Sequence, residues 1–374
     1  MFIALVGIAL LVVLTLEFFY LRNLIGRFLS FWGFDTSAKK VKFAKYLIMA
    51  LFMITTVPIF TVVGMLSLHI FVIAAFIDLC CLIIRLISKK GWGWLRFVSS
   101  SLVLPVVIGV GAVIYGYINM HTVVKTEYTV ETEKSLAQDY KIAFISDVHM
   151  SISLDIEKMK EVANEIISQK PHLLLLGGDI VDESTPFEDM KALFEIFGKV
   201  DTVYGTYFVY GNHDDNGFAS SRGNYTDADL RSAITDAGIT ILEDDIVNIG
   251  SDLTLVGRLD ASYKGKDKER RQSIDSLLKG VDKERFILVL DHQPVEYDEK
   301  AQAGVDLSVS GHTHAGQIWP LGVFTTIVAS NEDSYGLTNI GSFHGIVSSG
   351  IAGWGFPIKT SKSAEYLMIT VSEK

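Results

Sequence analysis

The chain has 374 residues, 49% of them hydrophobic, with a formal net charge of −10 and a mean hydropathy of +0.34, too apolar on average for a wholly soluble protein of this length. Residues 1 to 120 carry ten Lys and Arg against three acids, net +7, whereas 121 to 374 carry 23 against 40, net −17. The split predicts a basic membrane domain over 1–120 and an acidic soluble domain over 121–374; it excludes tight, unspecific nucleic-acid binding, which needs a basic surface, and the confinement of both cysteines, Cys80 and Cys81, to an apolar run excludes a disulfide-dependent soluble domain.

In chain order, residues 2–21 are apolar except for Thr15, Glu17 and Tyr20, followed by Arg22 and Arg27 with no basic residue before them. That reads as a retained anchor rather than a cleaved signal peptide. Further apolar runs, Tyr46 to Leu66, His69 to Ile87 and Phe97 to Ile118, bring the expected transmembrane helices to four, with Pro58 and Pro105 as kinks. The first connection carries six basic residues and the third carries Lys89, Lys90 and Arg96 beside Arg85, while the second carries none. The positive-inside rule then predicts a multi-pass cell-membrane protein with the acidic domain outside the cytoplasm. Asp78, within the third run, is expected to hydrogen-bond a neighbouring helix or pair with Arg85.

After Met120 the period changes. Alternation from Val124 to Glu133 reads as a partly exposed strand, and Tyr140 to Ser146 as a buried one ending at Asp147, Val148, His149. A helix over 155–169 with Asp155 as N-cap leads to a strand, Leu173 to Leu176, that runs into Gly177, Gly178, Asp179 and, three further on, Asp182. A helix over 186–198 precedes the strand of residues 205–209 and the stretch Tyr210, Gly211, Asn212, His213, Asp214. Beyond a helix at Asp227 to Ala237, strands are predicted at 239–242, 246–249 and 253–256, then a polar helix at Lys266 to Lys279. Two further strands, 286–290 and 305–310, deliver His292 and then His312 with His314; strands at 345–348 and 366–371 close an α/β domain.

Five strands thus end in residues able to bind metal. In an extended chain Asp147 and His149 point to the same side, as do His312 and His314, so each pair can grip one ion or two adjacent ions. Mixed carboxylate, amide-oxygen and imidazole donors suit Mn, Fe or Zn better than Ca, and the absence of thiolate argues against a structural zinc site. Seven ligands (Asp147, His149, Asp179, Asn212, His292, His312, His314) exceed what one tetrahedral ion needs, so two divalent ions are expected. His344 and Trp354 are candidates for the cleft wall, with ordinary packing an equal reading.

The series Asp-x-His, Gly-Asp-x-x-Asp, Gly-Asn-His-Asp, His, Gly-His-x-His, complete and in order, resembles the calcineurin-like metallophosphoesterases. The tail from Val347 to Pro357, with Gly311 to Gln317, is similar to a membrane-anchored bacterial phosphodiesterase subgroup. The resemblance implies a four-layer α/β (α+β) sandwich of two mixed β-sheets flanked by helices, here preceded by four transmembrane helices. It implies a first metal on Asp147, His149 and His314, a bridging Asp179, and a second metal on Asn212, His292 and His312. It implies that His213 faces the substrate and that Asp182 hydrogen-bonds His213.

The expected activity is hydrolysis of a phosphodiester or phosphomonoester, on a lipid, lipid-linked or envelope phosphate, by metal-activated water attack. The other reading is a catalytically weak membrane signalling or binding protein on the same fold; no obligate protein partner is predicted. A transporter is disfavoured, because one central acid gives little pathway.

Overall fold

The computed structural model describes residues 2–88, 93–214, 224–262, 271–319 and 331–374. The chain forms two compact units, Met1–Tyr115 and Gly116–Lys374.

The first unit holds α1 (Phe2–Phe31), α2 (Lys39–Thr56), α3 (Val62–Ser88), α4 (Gly93–Ser100) and most of α5 (Val103–His121). The four expected spans are not found: among the described residues two helices, α3 and α5, are long and apolar enough to cross a membrane. The reason lies in charge and chain breaks. The described part of α1 carries Glu17, Arg22 and Arg27, and α2 opens on Lys39, Lys40, Lys42 and Lys45. The run from Tyr46 to Leu66 is two helices rather than one, because Pro58 lacks the N–H that would continue α2. The turn is so tight that a Cβ on Gly64 would lie 2.0 Å from the Pro58 carbonyl oxygen. The fourth run is likewise divided between α4 and α5. Leu21, Leu24, Ile25 and Leu29 of α1 pack with Met49 of α2 and Ala74 of α3, while large apolar side chains such as Phe76, Leu86, Ile87 and Val107 face outward on α3 and α5. Two apolar helices with apolar exteriors support membrane association. Asp78 accepts from both guanidinium nitrogens of Arg27 and from the Tyr20 hydroxyl at 2.9 Å; α1, not Arg85, supplies its partners.

The second unit is a sandwich of two six-stranded sheets. One has the order β1-β12-β2-β3-β4-β5 and the other β10-β11-β9-β8-β7-β6. In the first, β2 (Tyr140–Ile145), β3 (Leu173–Leu176), β4 (Thr206–Phe208) and β5 (Thr240–Ile241) run parallel, flanked by antiparallel β12 (Ala364–Glu373) and, parallel to β12, β1 (Val123–Thr132). In the second, β7 (Leu253–Gly257), β8 (Phe286–Leu290), β9 (Leu307–Ser310) and β11 (Phe343–Val347) run parallel between antiparallel edges β6 (Asp245–Ile249) and β10 (Gly336–Ile340). Both are mixed sheets. Leu173, Leu175 and Val209 of one meet Leu288, Leu290 and Val309 of the other, so the centre of the space between the sheets is apolar.

The outer face of the first sheet is covered by α6 (Ile156–Gln169), α7 (Phe187–Gly198) and α8 (Asp227–Asp236). The short helices Ile274–Leu277 and Tyr297–Gln302 cover the second, giving four layers. Asp155 caps α6 by accepting from the Lys158 N–H. The predicted polar helix at Lys266 to Lys279 lies partly outside the described residues; its described part is the single turn Ile274–Leu277. β10 was not predicted, since Gly336, Thr338 and Asn339 disguise an edge strand.

Candidate metal centre

The strand ends gather because β2, β3 and β4 are parallel neighbours in one sheet and β8 and β9 in the other, which delivers every C-terminal end to one edge of the sandwich. There the chain leaves the extended conformation. Asp147, His149, Asp179, His312 and His314 all have positive φ, between 40° and 69°. Left-handed turns rather than strand alternation therefore aim these side chains, and the expectation that Asp147/His149 and His312/His314 act as extended pairs is corrected. Five non-glycine residues in a sparsely populated region mark a site whose geometry the surroundings enforce.

The turns deliver two groups. Asp147, His149 and His314 offer donor atoms within 4.8 Å of one another, and so do Asp179, His292 and His312. Asp179 stands between them, its Oδ2 3.8 Å from His149 Nε2 and 3.2 Å from His292 Nε2. Asn212 Oδ1 lies 3.2 Å from His292 Nε2, joining the second group. His312 and His314, two residues apart, are thus sent to different groups.

The donor atoms face each other in a way that a bound cation would satisfy. His292 Nδ1 donates to the Gly177 carbonyl at 2.8 Å and its Nε2 faces the Asn212 oxygen; against the opposing effect of burial, the charges of Asp179 and Asp147 push this imidazole well above its ordinary pKa, so the site favours positive charge. His314 Nδ1 meets the Ala352 carbonyl at 3.3 Å and His149 Nδ1 lies 3.5 Å from Asp182 Oδ2, and the Nε2 atoms of these rings face each other at 3.3 Å. Asp147 and Asp179 are wholly buried carboxylates, which need positive charge nearby. Burial pushes the carboxyl of Asp147 up. Burial likewise lowers His312, to about 3, and His314, keeping both imidazoles neutral and able to ligate. The residues fit two divalent ions.

The supports are backbone contacts. Asp214 accepts from the N–H groups of Asp179, Ile180, Val181 and Gly211 at 2.6 to 3.0 Å, so a carboxylate at the end of the Gly-Asn-His-Asp stretch fixes the Asp179 loop. Burial and the nearby Asp179 charge push Asp214 up to about 7 against the pull of those donors. The His213 N–H donates to Asp179 Oδ1 at 2.8 Å, and the His312 N–H to Asp147 Oδ1 at 2.9 Å. Two glycines are required by contact: a Cβ on Gly178, at φ +84°, would lie 2.6 Å from Gly211 N, and one on Gly211 would lie 2.2 Å from Asp179 Oδ1.

His213 stands at the rim rather than among the ligands. Its Nδ1 lies 3.3 Å from Glu183 Oε2, whereas Asp182, expected as its partner, is turned toward His149 and accepts from the Ser184 N–H at 2.8 Å. The Trp354 ring packs 4.7 Å from His213 and 6.3 Å from His149, and the Trp354 backbone N–H donates to Gln317 Oε1, so the ring walls the site. His344 instead meets Asn339 across β10 and β11. Behind Asp147 and His314, the buried Lys359 ammonium donates to the carbonyls of Ser349, Gly350 and Ala352. Gln317, Lys359 and Glu183 carried no local signal, because their roles come from long-range placement. Asp214 did, being part of the motif.

Residues 140–316 match the family of calcineurin-like phosphoesterases. An uncharacterized metallophosphoesterase of Helicobacter pylori is 28% identical over 242 residues, 64% of this chain and 61% of the relative, so the match spans about three fifths of that protein's length. The metallophosphoesterase YkuE of Bacillus subtilis is 27% identical over 265 residues, 68% of this chain and 87% of the relative. A transmembrane protein with metallophosphoesterase domain from Danio rerio is 25% identical over 293 residues, 72% of this chain and 62% of the relative. The motif order, the two-sheet sandwich and the paired ligand groups agree with that match, and the domain carrying residues 140–316 belongs to the calcineurin-like metallophosphoesterase superfamily.

Proposed function

We propose that the protein is a membrane-associated, dinuclear-metal phosphoesterase that hydrolyses a phosphodiester or phosphomonoester carried by a lipid, lipid-linked or envelope molecule. One observation carries the reading: two groups of potential metal donors lie side by side, with Asp179 of the second group 3.8 Å from His149 of the first, which supports Asp179 as the ligand common to both ions. Asp147, His149 and His314 would hold one ion, Asn212, His292 and His312 the other, and Mn, Fe or Zn suits these nitrogen and oxygen donors. Bound there, the ions supply Lewis-acid charge for the phosphoryl oxygens and the attacking water.

The chain does the rest. Asp179 and Asp147, fixed by backbone N–H groups, hold the ligand sets rigid, so little reorganisation is needed as charge develops. His213, at the rim with Glu183 on Nδ1, presents Nε2 to the leaving oxygen and gives it a proton. The Trp354 ring restricts the approach to that side.

The lipid side of the proposal is supported by α5. Its last residues belong to the same unit as the site: the Lys359 N–H donates to the Gly116 carbonyl, and Asn119 Nδ2 donates to the carbonyls of Lys359 and Lys362. A membrane-length helix joined by one loop to the residues behind Asp147 brings lipid phosphates to high local concentration. Arg85, Lys89, Lys90 and Arg96 precede α5 and a domain of net −17 follows it, which favours an extracytoplasmic catalytic domain.

The test uses the full chain in detergent, stripped and reloaded with Mn, Fe or Zn, assayed on p-nitrophenyl phosphate, bis-p-nitrophenyl phosphate and a phospholipid extract. Metal-dependent release of product is expected. A protein that takes up no ion and hydrolyses none of the three would refute the reading, and activity only on the soluble esters would remove its lipid part.

A further inference from the structure

The first unit contains a second charged site, unrelated to the metal centre. Arg22 and Arg27 of α1, Lys42 and Lys45 of α2 and Arg96 of α4 line one cavity of about 590 Å³. The five cations come from three helices, so their convergence is a product of packing and not of a single basic run. Among the described residues Asp78 is ion-paired with Arg27, and no carboxylate is ion-paired with Arg22, Lys42, Lys45 or Arg96, so four positive charges stay unbalanced. Asp78 is taken up by Arg27 and Tyr20; Lys42 feels the charge of Asp35, but the Asp35 carboxylate is engaged by the Ser37 N–H and hydroxyl at 2.9 and 2.6 Å. Neither acid lines the cavity. The Lys45 ammonium lies against α1 at Gly26, 2.9 Å from where a Cβ would stand, and so is directed into the cavity.

Like charges brought together repel unless something anionic sits among them. Two guanidinium groups with two ammonium groups match a phosphate, the arginines through forked hydrogen bonds and the lysines as point charges. The surroundings say what carries the phosphate. Phe43 and Leu47 of α2, exposed on the same helix as Lys42 and Lys45, offer apolar surface next to the charges, and α1 and α2 pack on α3, a helix of membrane length. We infer that this cavity binds the phosphate of an anionic glycerophospholipid, with the acyl chains along the apolar face of α2. Basic pockets between membrane helices bind lipid headgroups in this way. The site is independent of the phosphoesterase reading.

The test is lipid-dependent stabilisation of the full chain in a mild detergent. Short-chain phosphatidic acid, short-chain phosphatidylcholine and inorganic phosphate are titrated separately while thermal unfolding is followed. Phosphatidic acid should raise the midpoint; phosphatidylcholine and inorganic phosphate at equal concentration should not. The triple substitution Arg22→Gln, Lys45→Gln, Arg96→Gln should weaken the apparent affinity roughly a hundredfold, at about fivefold per charge, while Lys39→Gln with Lys40→Gln, on the same helix but outside the cavity, should leave it unchanged. Lys45→Gln alone should give about a fivefold loss, which keeps the test open if the triple variant does not fold. Equal stabilisation of the wild type and the Lys45→Gln protein, or loss in the Lys39/Lys40 protein as large as in the cavity variants, would overturn the site. A rise reproduced by inorganic phosphate alone would overturn the lipid assignment.

Discussion

Asn212 and His213 are adjacent, yet the geometry separates their work. Asn212 aims an amide oxygen at His292, whereas His213 holds Asp179 through its backbone N–H and turns its ring toward Glu183. Asn212→Ala should therefore lower metal content, measured by elemental analysis of the purified protein. His213→Ala should retain both ions and lose about 10²- to 10⁴-fold in kcat, the usual worth of a general acid; a His213→Ala protein with normal turnover would remove that role. The neighbouring acids divide in the same way. Glu183→Gln, which removes a carboxylate 3.3 Å from the His213 ring, should lower kcat with metal content intact. Asp182→Asn, which disturbs His149, should cost about 10- to 100-fold in metal affinity. That these candidate ligands would gather at strand ends was legible from the sequence, since each follows a buried strand. Which of two consecutive acids reaches His213 was not, because Asp182 and Glu183 differ only by the direction of a turn held by Ser184 and Thr185.

At the scale of elements, the strand ends work because glycines let two loops interlock. A methyl group on Gly211 would collide with both the Asp179 carboxylate and its backbone nitrogen, at 2.2 and 2.5 Å, and neither can yield without moving the residue proposed as common to both ligand groups. Gly211→Ala should thus cost about 1 to 3 kcal/mol of stability and lower occupancy of both ions together. Loss of one ion alone, by anomalous scattering or elemental analysis, would contradict the sharing of Asp179. The sandwich strands were readable because apolar runs of four to six residues ended in turn signals. The membrane helices depart from the apolar count, because Pro58 breaks the second run and lysines open α2. The ligand turns are not legible from strand periodicity, which carries no information about a chain that enters left-handed φ immediately after the strand.

Across the whole molecule, Lys359 ties the exit of α5 to the floor of the metal site: its backbone N–H holds Gly116 while its ammonium, wholly buried, is spent on three loop carbonyls. Burial lowers its pKa from 10.5 to about 8, against the pull of Glu365 and Asp147. The sign of the linkage follows. Below pH 8 the folded and unfolded chains both carry the proton and the group contributes no pH dependence. Between about 8 and 10.5 the unfolded chain binds the proton and the folded chain has released it, so unfolding becomes harder as pH rises, by about 3 kcal/mol over the window. Buried tyrosines such as Tyr140 and Tyr210, whose phenols burial pushes up, act in the opposite direction at the alkaline end. The difference between wild type and Lys359→Met is therefore the quantity to measure. The substitution should destabilise at every pH, because three buried carbonyls lose a donor, and its unfolding midpoint should lack the alkaline gain seen in the wild type. Parallel midpoint curves for the two proteins from pH 7.5 to 10.5 would show that Lys359 stays charged in the folded state and that the loop behind Asp147 is wetter than its burial implies.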